Sequence, residues 1–436
     1  MAMRHLYLIV LVLWVHLGDL ATAWIYNGGL RPEAALLRPL RDATVIAVAG
    51  LCLMTVRMPK SLFLSLAVYG SLALLAMLKT LADGRESGLV IVSFGTLMIP
   101  VLFFLVGQYC LRGYREIGAF VMLLVAIATA STAFGFWEVD NTDFWTETLH
   151  FGSFIARIKG VLLGAHPFTG LPWNFYRDTV EVRRAAGLLA APLAQGMFLA
   201  VVTLLVLGAP RHVGRMMRLA LALFLCVGLW MAGTRGAIFA ALLALVGYLF
   251  TARTAVADSR LRLGLLVAVI AGAVLATDEI VLEIWNLEDG SSPGHWRALL
   301  ANLQGFFWIP ALGYGPGAQG SIAAQTEQAL VGGGEGAIFT MAYQLGIPAA
   351  LAFLCFYIGC MIRLWRAHRD HDADFALATF WLMAGSVITL VTSEHMLAVS
   401  GSAALWLMVG GQMRALSKRR AAGADEAGAA ATVTPA

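Results

Sequence analysis

The stretch Gly88-Leu-Val-Ile-Val-Ser-Phe-Gly-Thr-Leu-Met-Ile-Pro-Val-Leu-Phe-Phe-Leu-Val-Gly-Gln108 decides the fold. It holds 21 residues and no charged side chain. As an α-helix rising about 1.5 Å per residue it is about 30 Å long, the thickness of a bilayer's hydrocarbon core. Blocks of the same kind recur along the chain. Of its 436 residues, 60% are hydrophobic and 13% charged, and the mean hydropathy is +0.78. A soluble domain carries about 25% charged residues. The blocks do not alternate polar and apolar at every second residue, as strands of a membrane β-barrel would. Working outward from 88–108 gives twelve spans, at about 6–24, 40–56, 61–78, 88–108, 117–135, 187–208, 216–232, 236–252, 263–277, 336–361, 375–392 and 394–413. The expected fold is an all-α polytopic membrane protein of about 12 transmembrane helices.

Basic residues orient these spans, because cytoplasmic loops are enriched in Lys and Arg. With the N-terminus inside, 18 of the 30 Lys and Arg residues fall in short inner segments, among them Arg57 and Lys60, Arg112 and Arg115, and Arg363, Arg366 and Arg369. The other 12 are spread over much longer outer segments. The expected location is a bacterial inner (plasma) membrane, crossed many times, with both termini cytoplasmic. Arg4, the apolar run after it and Ala21-Thr22-Ala23 imitate a secretory signal peptide. His16 and Asp19 interrupt that run, which is read as the first span. The five cysteines lie in or beside spans, so no exported disulfide framework is expected. The net charge of +4 follows from the inner-face arginines and does not argue for nucleic acid. Residues 1–416 form the membrane domain. Residues 417–436, basic and then rich in Ala, Gly and Thr, are expected to be a disordered cytoplasmic tail.

Two outer segments are long, about 136–184 and 278–335, and most outward polar residues lie in them. In the second, His295-Trp296-Arg297 opens a helical stretch that reaches about Phe307. A turn rich in glycine follows, with Gly313, Gly315 and Gly317 at alternate positions. Glycine there permits positive φ and close approach of backbone to a ligand. Glu335 ends this segment at the edge of the next span. Three further features face the same side: Arg183 and Arg184, the break at Thr234-Arg235-Gly236, and the break at Ser393-Glu394-His395. Arginines at short outer junctions run against the positive-inside bias, which marks them as candidates for a role beyond anchoring.

Arg184-Ala-Ala-Gly-Leu, ending at Pro192, is similar to the R-x-x-G-x-x-x-x-P entry to a mid-chain helix in the O-antigen ligase and O-antigen polymerase superfamily of bacterial envelope glycosyltransferases of the GT-C type. Thr234-Arg235-Gly236-Ala237 resembles that family's S/T-R-G-A turn. The stretch His295, Pro310-x-x-Gly313-x-Gly315-x-Gly317, Glu335 and Leu345-Gly346-Ile347-Pro348 resembles its run of a polar residue, a helix, P-L-G-x-G-x-G, a gap and a polar pair before a further helix. The resemblance covers roughly residues 120–400. Ligases of the family carry His where this chain has Glu335, and Arg near the position of His295. The pairing seen here looks more like the polymerases.

The resemblance implies transfer of a glycan from an undecaprenyl-diphosphate-linked donor to a glycan or a lipid A-core acceptor at the periplasmic face. No cofactor and no metal are expected, and neither long outer segment holds an Asp-x-Asp-like motif. Membrane lipids are implied as partners, with room for a chain-length regulator protein. The leaving diphosphate then requires protein cations, and Arg184, Arg235 and Arg297 are the candidates, with Arg183 in reserve. Arginine suits the task because its planar fork bonds phosphate oxygens bidentately and stays charged at an apolar boundary. Glu335 is the candidate base, with His295, Glu394 and His395 as alternatives, and an in-line attack inverts the anomeric centre. Each residue also has a plainer reading. The arginines would serve as interfacial anchors, Glu335 as a helix cap and the glycines as loop punctuation. The competing function is a transporter or flippase for lipid-linked sugars, which calls for ionisable residues along a midplane path.

Overall fold

The structure, a computed structural model, describes residues 2–159, 166, 168–177, 182–208, 214–252, 292–325, 336–371 and 374–432. Its helices are α1 (Ala2–Asn27), α2 (Arg31–Thr55), α3 (Lys60–Ala82), α4 (Ser87–Cys110), α5 (Tyr114–Asp140), α6 (Pro192–Leu207), α7 (Arg215–Ala232), α8 (Arg235–Thr251), α9 (Ser292–Gly305), α10 (Ala337–Leu345), α11 (Ile347–His371), α12 (Asp374–Thr392) and α13 (Val399–Thr432). Shorter helical turns connect some of them. Among the described residues, six helical stretches are long and apolar enough to cross a membrane: Met3–Asn27, Lys60–Ala82, Ser87–Cys110, Tyr114–Asp140, Ile347–Arg369 and Phe375–Thr392. Three more, α6 to α8, are apolar but shorter. The chain is a helical membrane protein. The expected span at 263–277 lies outside the described residues.

α6 is the central element. Apart from Leu193, every residue from Pro192 to Leu207 is buried, as expected for a helix that is apolar all round. Around it, small residues let backbones approach closely, the usual means of helix association where lipid removes the hydrophobic drive. A Cβ on Gly107 of α4 would lie 2.9 Å from the Leu407 Cα of α13, and one on Gly411 would lie 2.7 Å from the Leu111 side chain. α8 and α12 use the same device, since a Cβ on Gly385 would lie 3.1 Å from the Cβ of Ala244.

Several boundaries differ from those read in the sequence. The span expected from 187 begins at Pro192, after a 3-10 turn at Gly187–Leu189 and a left-handed Ala190 at φ +53°. Proline at the first helical position is the cause, because it holds Ala191 extended at φ −157°. The span expected over 336–361 is broken at Gly346, φ +92°, into α10 and α11. The last span does not start at 394: residues His395–Leu397 form a 3-10 turn and α13 starts at Val399. α13 then continues to Thr432, across the stretch expected to be a disordered tail from 417. The alanines there have the highest intrinsic helix preference of any residue.

The described residues of the first segment expected to face outward are folded. Trp145, Leu149, Phe151, Phe154, Leu171 and Phe175 are buried in a second apolar cluster, which packs on Ala23 and Tyr26 of α1. Its sheet is minimal: β1 (Tyr176–Arg177) pairs antiparallel with β2 (Val182–Arg183), Tyr176 opposite Arg183. The Asn27 side-chain amide donates to the Leu149 carbonyl and ties this cap to the end of α1.

Candidate active site

The cap delivers Arg183 and Arg184 to the bundle, and one buried carboxylate organises the delivery. Glu138, in the last turn of α5, is fully buried. It accepts hydrogen bonds from Arg183 Nη2 at 2.7 Å, Trp145 Nε1 at 2.5 Å, the Ala186 N–H at 2.6 Å and the Gly187 N–H at 3.4 Å. Arg183 also stacks over Phe175 and Tyr176, with its Cζ 5.2 and 5.6 Å from the ring centres. Burial lowers the Arg183 guanidinium from its usual value, while Glu138 and then Tyr176 act in the opposite sense. The Arg183 charge is therefore committed to holding the segment in place.

Arg184 faces elsewhere. Its backbone N–H donates to the Phe175 carbonyl at 2.8 Å, and the next residue, Ala185, donates to the Met231 carbonyl of α7 at 3.0 Å. Its side chain lies along the α7–α8 turn, where a Cβ on Gly233 would sit 3.4 Å from both Arg184 Cγ and Nε. Gly233 closes α7 in the left-handed region at φ +61°, Thr234 leads into α8, and Arg235 is the first residue of that helix. The Thr234 hydroxyl is turned inward and donates to the Pro192 carbonyl at 3.0 Å. That bond fixes the turn on the start of α6. Arg184 and Arg235, 51 positions apart in sequence, thus meet at one turn, each half-buried.

The α12–α13 connection reaches the same place. A Cβ on Gly236, the residue after Arg235, would lie 3.9 and 4.0 Å from His395 Cδ2 and Nε2. Glu394 points to the other side of this connection. Its carboxylate accepts from the Thr340 hydroxyl of α10 and, at 2.8 Å, from the Ser321 N–H. The Ala337 N–H donates to the Ser393 carbonyl at 2.9 Å, which places the start of α10 beside this connection. Glu335 itself lies outside the described residues.

The three glycines of the turn all have positive φ: +65° at Gly313, +90° at Gly315 and +86° at Gly317. The close approach they permit is to protein. The Tyr314 and Gly315 N–H groups donate at 2.7 and 3.0 Å to the carbonyls of Tyr343 and Gln344, which the break at Gly346 leaves at the end of α10. The Gly317 N–H donates to Gln344 Oε1 at 2.8 Å. Gln344 Nε2 donates to the Gln319 carbonyl, and Gln319 Nε2 donates to Asn302 Oδ1 of α9. The glycine turn caps the broken helix and binds α9 to it.

Arg297 is an exposed residue of α9. His295 lies on the same helix, two residues earlier. Among the described residues, no group of three or more His, Cys, Asp or Glu converges as a metal site. Glu138 escaped the sequence reading, although a carboxylate in the last turn of an apolar helix was a usable signal. Thr340 and Gln344 carried no such signal, since hydroxyls and amides are common in helices. Compared with models of known protein families and with curated protein sequences, the chain matches none.

Proposed function

We propose that this chain is a glycosyltransferase of a bacterial plasma membrane, with about twelve transmembrane helices, both termini cytoplasmic and its active site on the periplasmic face. It polymerises, or ligates, oligosaccharide units carried on undecaprenyl diphosphate. The observation that carries this reading is the meeting of Arg184 with the Arg235 turn, beside His395. Residues from three segments remote in sequence come together at this turn, which the Thr234 hydroxyl ties to the start of a buried helix. Two fixed cations at an apolar boundary suit a lipid-linked diphosphate, because a preformed donor interacts more strongly where water is scarce.

In the reaction, the acceptor hydroxyl oxygen forms a bond to the anomeric carbon as the bond from that carbon to the diphosphate oxygen breaks. The hydroxyl proton passes to a carboxylate, and the lipid diphosphate leaves with the bonding electrons, held by Arg184 and Arg235. Attack opposite the leaving group inverts the anomeric centre. Glu335 is the proposed base. Glu394 is the second candidate, because its carboxylate is already oriented by Ser321 and Thr340. The chemistry requires neither nucleotide sugar nor metal.

The test uses purified protein and a lipid-diphosphate-linked repeat unit in the presence of a chelator. Polymer of increasing length supports a polymerase, and a single transfer to lipid A-core supports a ligase. No product with either acceptor contradicts the proposal. Glu335→Gln and Glu394→Gln, measured side by side, identify the base as the one whose loss removes product while protein level is kept.

A further inference from the structure

A cavity lies away from the arginine turn. It has a volume of about 560 Å³ and is lined by residues of α1, α2 and α4, by Ser321 and by the start of α13. That size is within the range of about 300–1,000 Å³ typical of small-ligand sites. Its polar wall carries Asp19 of α1, Arg38 and Arg41 of α2, and Glu86 at the start of α4. Trp14 forms part of the apolar wall, with its indole laid along Gly18, where a Cβ would sit 3.0 Å from Trp14 Cδ1.

These charges discriminate between ligands. Arg41 already donates twice to Asp42 Oδ1, from Nε at 2.9 Å and Nη2 at 2.7 Å. With Asp19, Glu86, Arg38 and Arg41 all on it, the wall holds both signs in balance, and its two carboxylates repel a diphosphate. A neutral polyhydroxyl ligand fits. Carboxylates accept hydrogen bonds from sugar hydroxyls and guanidinium groups donate to them. The flat face of an indole covers the apolar C–H face of a pyranose. Thr96, Ser321 and Ile322 line this cavity and also a narrow recess that ends at Glu394. His395, next in sequence, faces Gly236 on the side of Arg235. Adjacent residues of one connection thus face the cavity's recess and the arginine turn.

We infer that this cavity is a glycan-binding chamber, separate from the diphosphate site, that takes the sugar end of the acceptor chain. Naming that glycan the acceptor rests on the transferase reading above.

The test is calorimetric titration of the purified full-length protein with two probes. One is lipid-free oligosaccharide released by mild acid from the surface polysaccharide of the cells that make the chain. The other is undecaprenyl diphosphate without sugar. The oligosaccharide is expected to bind, and Trp14→Ala and Glu86→Gln are each expected to weaken it about tenfold. Trp14→Phe, which keeps an aromatic face, should retain most of the affinity. Glu86 is exposed at the helix start, so Glu86→Gln leaves the fold intact. Arg235→Ala should weaken only the diphosphate probe. The inference is overturned if the wild type fails to bind the oligosaccharide at millimolar concentration. It is equally overturned if the cavity variants leave that binding unchanged, or weaken the bare diphosphate instead. A protein that binds the sugar through Trp14 and Glu86 but never transfers would keep the chamber and sink the transferase reading.

Discussion

Arg183 turns onto Glu138, whereas its neighbour Arg184 turns to the Gly233–Arg235 turn. In a sequence the two are a basic pair with no means of telling them apart. The difference comes from their places in the backbone, since Arg183 ends β2 and Arg184 is the first residue beyond it, and from a carboxylate 45 positions away that takes Arg183. Removing one partner of a buried ion pair leaves the other charge uncompensated, at a cost of about 3–5 kcal/mol. Glu138→Ala is therefore expected to lower thermal stability in detergent by that order, more than Arg184→Ala does. An unchanged melt for Glu138→Ala would contradict the structural role given to the pair. Activity divides the other way. Arg184→Ala and Arg235→Ala are each expected to slow transfer roughly 10²–10³-fold, the usual loss when one fixed donor to developing charge is removed. Lysine should restore only part of the rate, since it cannot grip two phosphate oxygens at once.

At the scale of elements, apolar length made most helices legible, and α3, α4, α5 and α12 fall close to the spans read from sequence. Periodicity and length carry no signal for a break inside an apolar run. α10 and α11 together look like one long span, and the interruption at Gly346 depends on the glycine turn packing under it. The turn was legible as a turn, but its partner was not, because carbonyls freed by a helix break have no sequence signature. A non-glycine residue at positive φ costs about 1–3 kcal/mol. A Cβ at Gly313 would in addition lie 2.5 Å from the carbonyl carbon of Gln344. Gly313→Ala is thus expected to destabilise by at least that amount and to loosen α9 from α10. Hydrogen exchange at the Tyr314 and Gly315 amides measures this directly. Protection equal to wild type would show that the turn does not cap the broken helix.

For the whole molecule, the account requires the arginine turn, the glycine turn and the Glu394–His395 connection to share one side of the membrane. On the proposed topology that side is the outside. A membrane-impermeant maleimide applied to intact spheroplasts is expected to label Asp83→Cys in the α3–α4 connection, and to leave Lys418→Cys unlabelled until the membrane is opened. Both positions are exposed in the structure, so access is decided by the bilayer alone. The reverse pattern would put the site in the cytoplasm, where no periplasmic acceptor is present. The central claim is narrower: Arg184 and Arg235 act on the same diphosphate. The most direct measurement is a double-mutant cycle on transfer from the lipid-diphosphate donor, with Arg184→Ala, Arg235→Ala and the pair. The account predicts two large single losses and a double loss well short of their product. Single losses that multiply fully, or a single variant with the wild-type rate, would contradict it.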